Sequence, residues 1–128
     1  MSVEQEVRAA AEALVADYGA GRMDEYFMRL APEAVFIFYT APDRFESRDE
    51  YRAAWDRWVA QDGLRVLRCD ASNQLVQSLG PDTAVLSHDV VTALSSNAGE
   101  ETVRERETIV FQNRGGDWQV IHEHLSPA

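Results

Sequence analysis

Residues Glu100–Ser126 read EETVRERETIVFQNRGGDWQVIHEHLS, two runs of strand-forming residues on either side of a Gly-Gly turn. Gly115 and Gly116 supply the positive φ that a short hairpin loop needs. Successive side chains of a strand point to opposite faces, so each run carries two separate sets of residues. With Arg114–Gly116 as a three-residue loop, Gln112 opposes Trp118, Val110 opposes Val120, Thr108 opposes His122 and Arg106 opposes His124. One face then shows Arg104, Arg106, Thr108, His122 and His124. The other shows Glu105, Glu107, Ile109, Phe111, Ile121, Glu123 and Leu125. A two-residue loop shifts the register by one and sets the histidines opposite Glu107 and Ile109. The three-residue loop is the preferred reading, and the histidine face is expected to look into the functional site.

Upstream of this hairpin the chain alternates in kind. Ser2 with Gln5 forms a capping box, and Val3, Val7, Ala10, Leu14 and Tyr18 recur at helical spacing until Gly19 and Gly21. After Arg22 a short helical piece holds Tyr26, Phe27 and Leu30 and stops at Ala31-Pro32. Ala34–Thr40 (AVFIFYT) is a β-branched and aromatic strand that ends before Pro42. Ser47 with Glu50 is a second capping box, opening a helix whose inward face is expected to be Tyr51, Ala54, Trp55, Trp58 and Val59, with Gly63 closing it. Long strands follow over 64–79 and 83–94, joined by Gly80-Pro81-Asp82, and a turn over 95–99 leads into the final hairpin. Helices early and an antiparallel meander late predict one α+β domain over 1–128, with helices packed on one face of a curved, mainly antiparallel sheet around a conical cavity.

Composition narrows the chemistry. The 128 residues suffice for one core, and the 45% hydrophobic and 27% charged fractions are those of an ordinary globular chain. The formal charge is −10, and all 12 basic residues are arginine, which excludes Schiff-base and lysine acid/base chemistry. An acidic chain without a basic face argues against nucleic acid or an anionic membrane as partner. The lone Cys69 can form no disulfide within the chain. No signal-peptide pattern is visible and the longest apolar run, 34–39, is far short of a membrane span, so a cytoplasmic protein is expected.

The order of helix, short helix, strand, helix and four long strands resembles the nuclear transport factor-like, or ketosteroid-isomerase-like, superfamily, a cone-shaped cystatin-like roll. Arg106-Glu107-Thr108 leading into the Gly-Gly turn, followed by Trp118–Ser126 (WQVIHEHLS), is similar to the closing signature of SnoaL-like domains. Gly19-Ala20-Gly21-Arg22-Met23-Asp24 is similar to that family's exit from its first helix. The resemblance implies a small-molecule ligand in the cone and a homodimer. It also brings a choice of isomerase, cyclase and dehydratase activities beside non-catalytic association modules. In ketosteroid isomerases the first helix supplies a tyrosine and the first strand an aspartate; alignment through the Gly-Ala-Gly turn puts Leu14 and Phe38 near those positions. Neither moves a proton, so that mechanism is not carried over.

The candidate catalytic set is His122, His124, Arg106 and Asp89. A histidine serves as acid or base, Asp89 or Glu105 orients it, and Arg106 steadies an enolate or a carboxylate. Tyr39, Phe38, Trp55, Thr108 and His88 are candidate ligand contacts, the aromatic residues as a cavity wall. No cofactor is expected. His122 and His124, about 6.8 Å apart along one strand face, form with His88 the one combination that suits a divalent metal, against the plainer reading of a polar network. Whether His88 or Asp89 faces the cavity is left open by the turn over 95–99. Apolar Val103, Ile109, Phe111 and Ile121 on the other face are expected to pack against a second copy. The leading reading is a cofactor-free isomerase, cyclase or dehydratase acting on an apolar or aromatic carbonyl compound. The alternative is a binding or association module whose cone is filled by its own aromatic residues.

Overall fold

The computed structural model describes residues 1–128 as three helices and five strands. Helix α1 (Val3–Gly19) begins at the expected capping box, with Ser2 Oγ accepting from the Gln5 N–H at 3.1 Å and Gln5 Oε1 from the Ser2 N–H at 2.9 Å. Its stripe of Val7, Ala11 and Leu14 is buried. Helix α2 (Met23–Met28) follows, and strand β1 (Leu30–Phe38) continues almost without a break. Helix α3 (Arg48–Asp62) ends at Gly63, whose φ of 65° is the left-handed conformation that closes helices. Strands β2 (Arg65–Ser78), β3 (Thr83–Ser96), β4 (Gly99–Arg114) and β5 (Asp117–Pro127) form an antiparallel meander, and β1 returns to lie parallel to β5. The sheet order is β1-β5-β4-β3-β2. Helix α1 packs on β2, β3 and β5, and α3 on β1, which is the helices-on-a-curved-sheet arrangement expected.

Three local expectations are corrected. Strand β1 starts at Leu30 rather than Ala34 and passes through Pro32, which an edge strand tolerates because no neighbour needs its missing N–H; pairing is irregular between Leu30 and Val35. The second capping box is half formed: Ser47 Oγ accepts from the Glu50 N–H at 3.1 Å, while Glu50 Oε2 takes the N–H of Glu46 at 2.7 Å. Val59 faces solvent, and Tyr51, Ala54 and Trp55 are the buried residues of α3. The outer edge of β1 is covered by the following loop, where Phe36 and Phe45 exchange two backbone hydrogen bonds of 2.9 Å. Tyr51 sits at the centre of the core, in contact with the rings of Tyr26, Phe27, Phe36, Phe38, Phe45 and Trp55.

The final hairpin departs most from expectation. Its loop is Gly115-Gly116 alone, with Arg114 opposite Asp117 and φ values of 63° and 99° at the glycines. Phe111 then opposes Val120, and one residue further the register slips: Val110 opposes His122, leaving Ile121 without a partner as a β-bulge. Beyond the bulge Ile109 pairs with Glu123, and Thr108 with His124. The extra residue turns the second half of β5 over. Val120 and Glu123 are both buried on the helix side, although they lie three apart, and His122 and His124 point to the convex side.

Candidate active site

Because β3 and β4 alternate strictly, their inward residues are set by parity. Ala84, Leu86, His88, Val90 and Thr92 of β3 are buried, as are Glu105, Ile109 and Phe111 of β4. Ile109 and Phe111 (0% and 1% exposed) lie beneath the helices in the core, which corrects the expectation that their face packs against a second copy. The same parity brings Glu105 and Glu107 inward, and the Ile121 bulge adds Glu123 from β5. All three carboxyl groups line a cavity of about 260 Å³ at the wide end of the core. Its remaining wall is mostly aromatic and aliphatic: Tyr18 of α1, Tyr26 of α2, Phe38 of β1, and Tyr51, Trp55 and Trp58 of α3 among others, with Tyr39 and Glu101 at the rim. No arginine or histidine side chain lines it.

The carboxyl groups are joined in a chain of hydrogen bonds. The Gln74 side-chain amide donates to His88 Nδ1 at 3.1 Å, which places the imidazole hydrogen on Nε2; that N–H donates to Glu107 Oε1 at 2.7 Å. Glu107 is also hydrogen-bonded to Glu123. Two ionised carboxylates contain no donor, so this contact holds a proton. Burial, then repulsion by Glu107, pushes the Glu123 carboxyl well above the usual range. Burial opposes ionisation of Glu107 too, but the hydrogen bonds from Glu123 and His88 hold it below its ordinary value. Glu123 is therefore the neutral acid and Glu107 the carboxylate. Glu123 Oε2 is buried and has no hydrogen-bond partner, although its residue lines the cavity. The other unpartnered buried atom, Trp118 Nε1, belongs to a surface groove outside the cavity.

Nearer the mouth the Tyr39 hydroxyl donates to Glu105 Oε2 at 2.6 Å. That bond, with burial, pushes the phenol up to about 12, and burial raises the Glu105 carboxyl. The Tyr26 and Tyr51 hydroxyls meet at 3.0 Å, and Thr92 donates to Cys69 Sγ at 3.4 Å. Burial lifts the Cys69 thiol to about 11, so it is no nucleophile at neutral pH. Beneath α1, Asp17 accepts from Arg29 at 2.6 Å and Arg22 at 2.9 Å, tying the end of α1 to α2 and to the start of β1.

The residues singled out in the sequence divide between the two sides of the sheet. Phe38, Tyr39 and Trp55 line the cavity. His88 faces inward and reaches the cavity through Glu107, which settles the choice between it and Asp89. His122, His124, Arg106, Thr108 and Asp89 are corrected to the convex side, where Arg106 lies 3.8 Å from Asp89. The histidine face was expected inward for its reactive side chains; unbroken alternation would keep His122 and His124 on the side of Val120, and the bulge reverses them. His88 is thereby separated from His122 and His124 by the sheet, and the three imidazoles do not converge. The residues missed were Glu107 and Glu123. The signal for Glu107 was present in β4, where it shares parity with Ile109 and Phe111, the residues most certain to be buried.

The sequence model of the SnoaL-like domain family matches residues 7–128. No functionally curated protein matches the chain. Among solved structures, an NTF2-like protein from Cytophaga hutchinsonii superposes with a TM-score of 0.82 at 16% identity, covering 100% of both chains. An NTF2-like protein of unknown function in nutrient uptake from Rhodospirillum rubrum gives 0.79 at 22% identity, covering 95% of this chain and 98% of its own. The S. rosetta CaMKII hub gives 0.77 at 20% identity, covering 97% and 95%. At these identities the likeness is one of fold.

Proposed function

The chain belongs to the SnoaL-like domain family, and from that premise we propose that it binds a small apolar or aromatic carbonyl compound in the cone and isomerises, cyclises or dehydrates it without a cofactor. The observation that carries this reading is the Glu107–Glu123 pair, two neighbouring carboxyl groups on residues that line the cavity, Glu123 held as the neutral acid and Glu107 as the carboxylate. A substrate C–H or O–H made acidic by a neighbouring carbonyl transfers its proton to one Glu123 oxygen, while the proton on the other passes to Glu107. The reverse shift returns a proton to a different substrate atom, which completes an isomerisation, or to a leaving hydroxyl, which completes a dehydration. His88, held by Gln74, keeps Glu107 in place to receive the proton. Tyr18 and the Tyr26–Tyr51 pair offer phenol hydroxyls to the enolate oxygen, and burial keeps all three phenols protonated.

The test is hydrogen–deuterium exchange at the α-carbon of one- and two-ring ketones in D2O, followed by NMR. Glu123→Gln is expected to slow exchange by about 10²-fold or more, and His124→Ala to leave it unchanged. Carbon NMR of labelled glutamate gives a second readout, expected to show one carboxyl still protonated at pH 7 and lost in Glu123→Gln. A Glu123 ionised at pH 6 would sink the acid/base reading.

A second reading has an observation of its own. On the convex side, half-buried Val35, Val110 and Val85 lie in one row across the sheet with His122 between Val35 and Val110, an apolar band among polar residues, and the S. rosetta neighbour is a CaMKII hub. We propose that this band, rather than the Ile109–Phe111 face, joins two copies in a homodimer. A dimer is compatible with either a catalytic or a purely associative role.

A further inference from the structure

We propose that the compound this cavity takes, the carbonyl substrate included, carries an amine bound as its ammonium ion, on a one- or two-ring body with the nitrogen directed at Glu123, Glu105 and Glu107. The inference rests on the cavity being the ligand site, and not on turnover. Its basis is the inventory of polar groups. Glu107 accepts from His88 and Glu123, and Glu105 accepts from Tyr39. Glu123 Oε2, on a residue only 4% exposed, has no donor at all. Of the nearby hydroxyls, Tyr39 donates to Glu105, Thr92 to Cys69, and one of the Tyr26–Tyr51 pair to the other. The wall thus sets four carboxyl groups, Glu101, Glu105, Glu107 and Glu123, against no cationic donor, and an ammonium group brings up to three N–H donors with its charge.

Charge points the same way. The groups facing Glu123 are Tyr18 from α1, Tyr26 from α2, Tyr51 from α3, Cys69 from β2, and Glu101, Glu105 and Glu107 from β4, with His88 of β3 behind Glu107 and Tyr39 at the rim. None carries a fixed positive charge, so a carboxylate or phosphate ligand would enter against uncompensated repulsion at low dielectric. A cation gains from those carboxyl groups and from the faces of Tyr18, Tyr51, Trp55 and Trp58. A cavity of about 260 Å³ exceeds the roughly 150 Å³ that holds benzene, which suits a ring and a short side chain.

This ligand leaves a signature that a neutral one does not. An ammonium beside Glu123 favours its ionised form, so binding expels the proton of the Glu107–Glu123 pair. Phenethylammonium, 2-phenylethanol and phenylacetate share one shape and differ in charge, and two-ring members of each class extend the series. Titration calorimetry at pH 6.5 in phosphate and in MES is expected to show ammonium compounds binding about tenfold tighter than the alcohols, with release approaching one proton. Carboxylates are expected not to bind. Affinity for the ammonium compounds rises with pH until the amine itself deprotonates. In Glu123→Gln, proton release is lost and the preference over the alcohol falls to about threefold or less, with alcohol affinity unchanged. Equal binding of ammonium and alcohol without proton release overturns the inference and leaves the cavity a ligand site. Tighter binding of the carboxylates overturns it as well. If no compound of any charge binds, both the inference and the cavity's ligand role fall.

Discussion

Glu123 is the residue on which most of the chemistry turns, and its burial has a thermodynamic consequence. Its folded pKa lies above its ordinary 4.5, so between those two values the native state holds a proton that the unfolded chain has lost. Stability therefore falls as pH rises through that window. Glu123→Gln keeps the shape and the hydrogen bond to Glu107 but has no proton to lose. The variant is expected to match the wild type at pH 4.5 and to exceed it at pH 8 by on the order of 1–2 kcal/mol, a few degrees in Tm. Parallel pH profiles of the two proteins would contradict a neutral Glu123. Asp17 acts with the opposite sign. Burial resists its ionisation, but the hydrogen bonds from Arg29 and Arg22 hold its carboxyl below 3.8, so its contribution is complete above that value and lost as pH falls through the folded pKa. At this scale the glutamates were legible in kind but not in role. A Glu alternating with Arg reads equally well as a solvated charge ladder, and only packing under α1 and α3 separates the two.

Among the elements, helix α1 and strand β2 approach most closely where Gly19 meets Cys69. A Cβ at Gly19 would lie 2.9 Å from the Cys69 backbone nitrogen, and strand backbone has little room to yield. Gly19→Ala is expected to cost about 1–3 kcal/mol, read as a drop in the urea midpoint at unchanged slope. An unchanged midpoint would mean that α1 can slide on the sheet. The Gly-Ala-Gly segment was legible as a helix end; its second duty, close contact with β2, was not, because it depends on a strand some fifty positions later. The β4–β5 hairpin shows the same limit more sharply. Its strands, glycine turn and two-sided alternation could all be read from the residues. The Ile121 bulge could not, since WQVIHEHL alternates acceptably in either register and nothing local distinguishes an unpaired isoleucine from a paired one.

For the whole molecule, curvature decides which side of the sheet encloses space. The concave side receives the helices, the aromatic core and the three carboxyl groups; the convex side is left with His122, His124, Arg104, Arg106 and an apolar band. Size-exclusion chromatography with light scattering is expected to give twice the 14.4 kDa chain mass. Val110→Arg, which places a charge at the centre of the band, is expected to give the monomer with the cavity still formed. A monomeric wild type would overturn the dimer and leave the acid/base pair untouched, because no residue of that pair lies on the band.

What the residues determined alone is the part governed by local rules. Helix starts, glycine turns, strand periodicity and the α+β order follow from caps, φ preferences and side-chain alternation within a few positions of each residue. No helix is long and apolar enough to cross a membrane, which is equally a property of local composition. The tertiary structure decided which face of β4 and β5 is inside, and with it that glutamates rather than histidines meet the cavity. That choice comes from burying Ile109, Phe111 and Val120 together beneath the helices. A one-residue slip satisfies that requirement and no interaction within the strand specifies it.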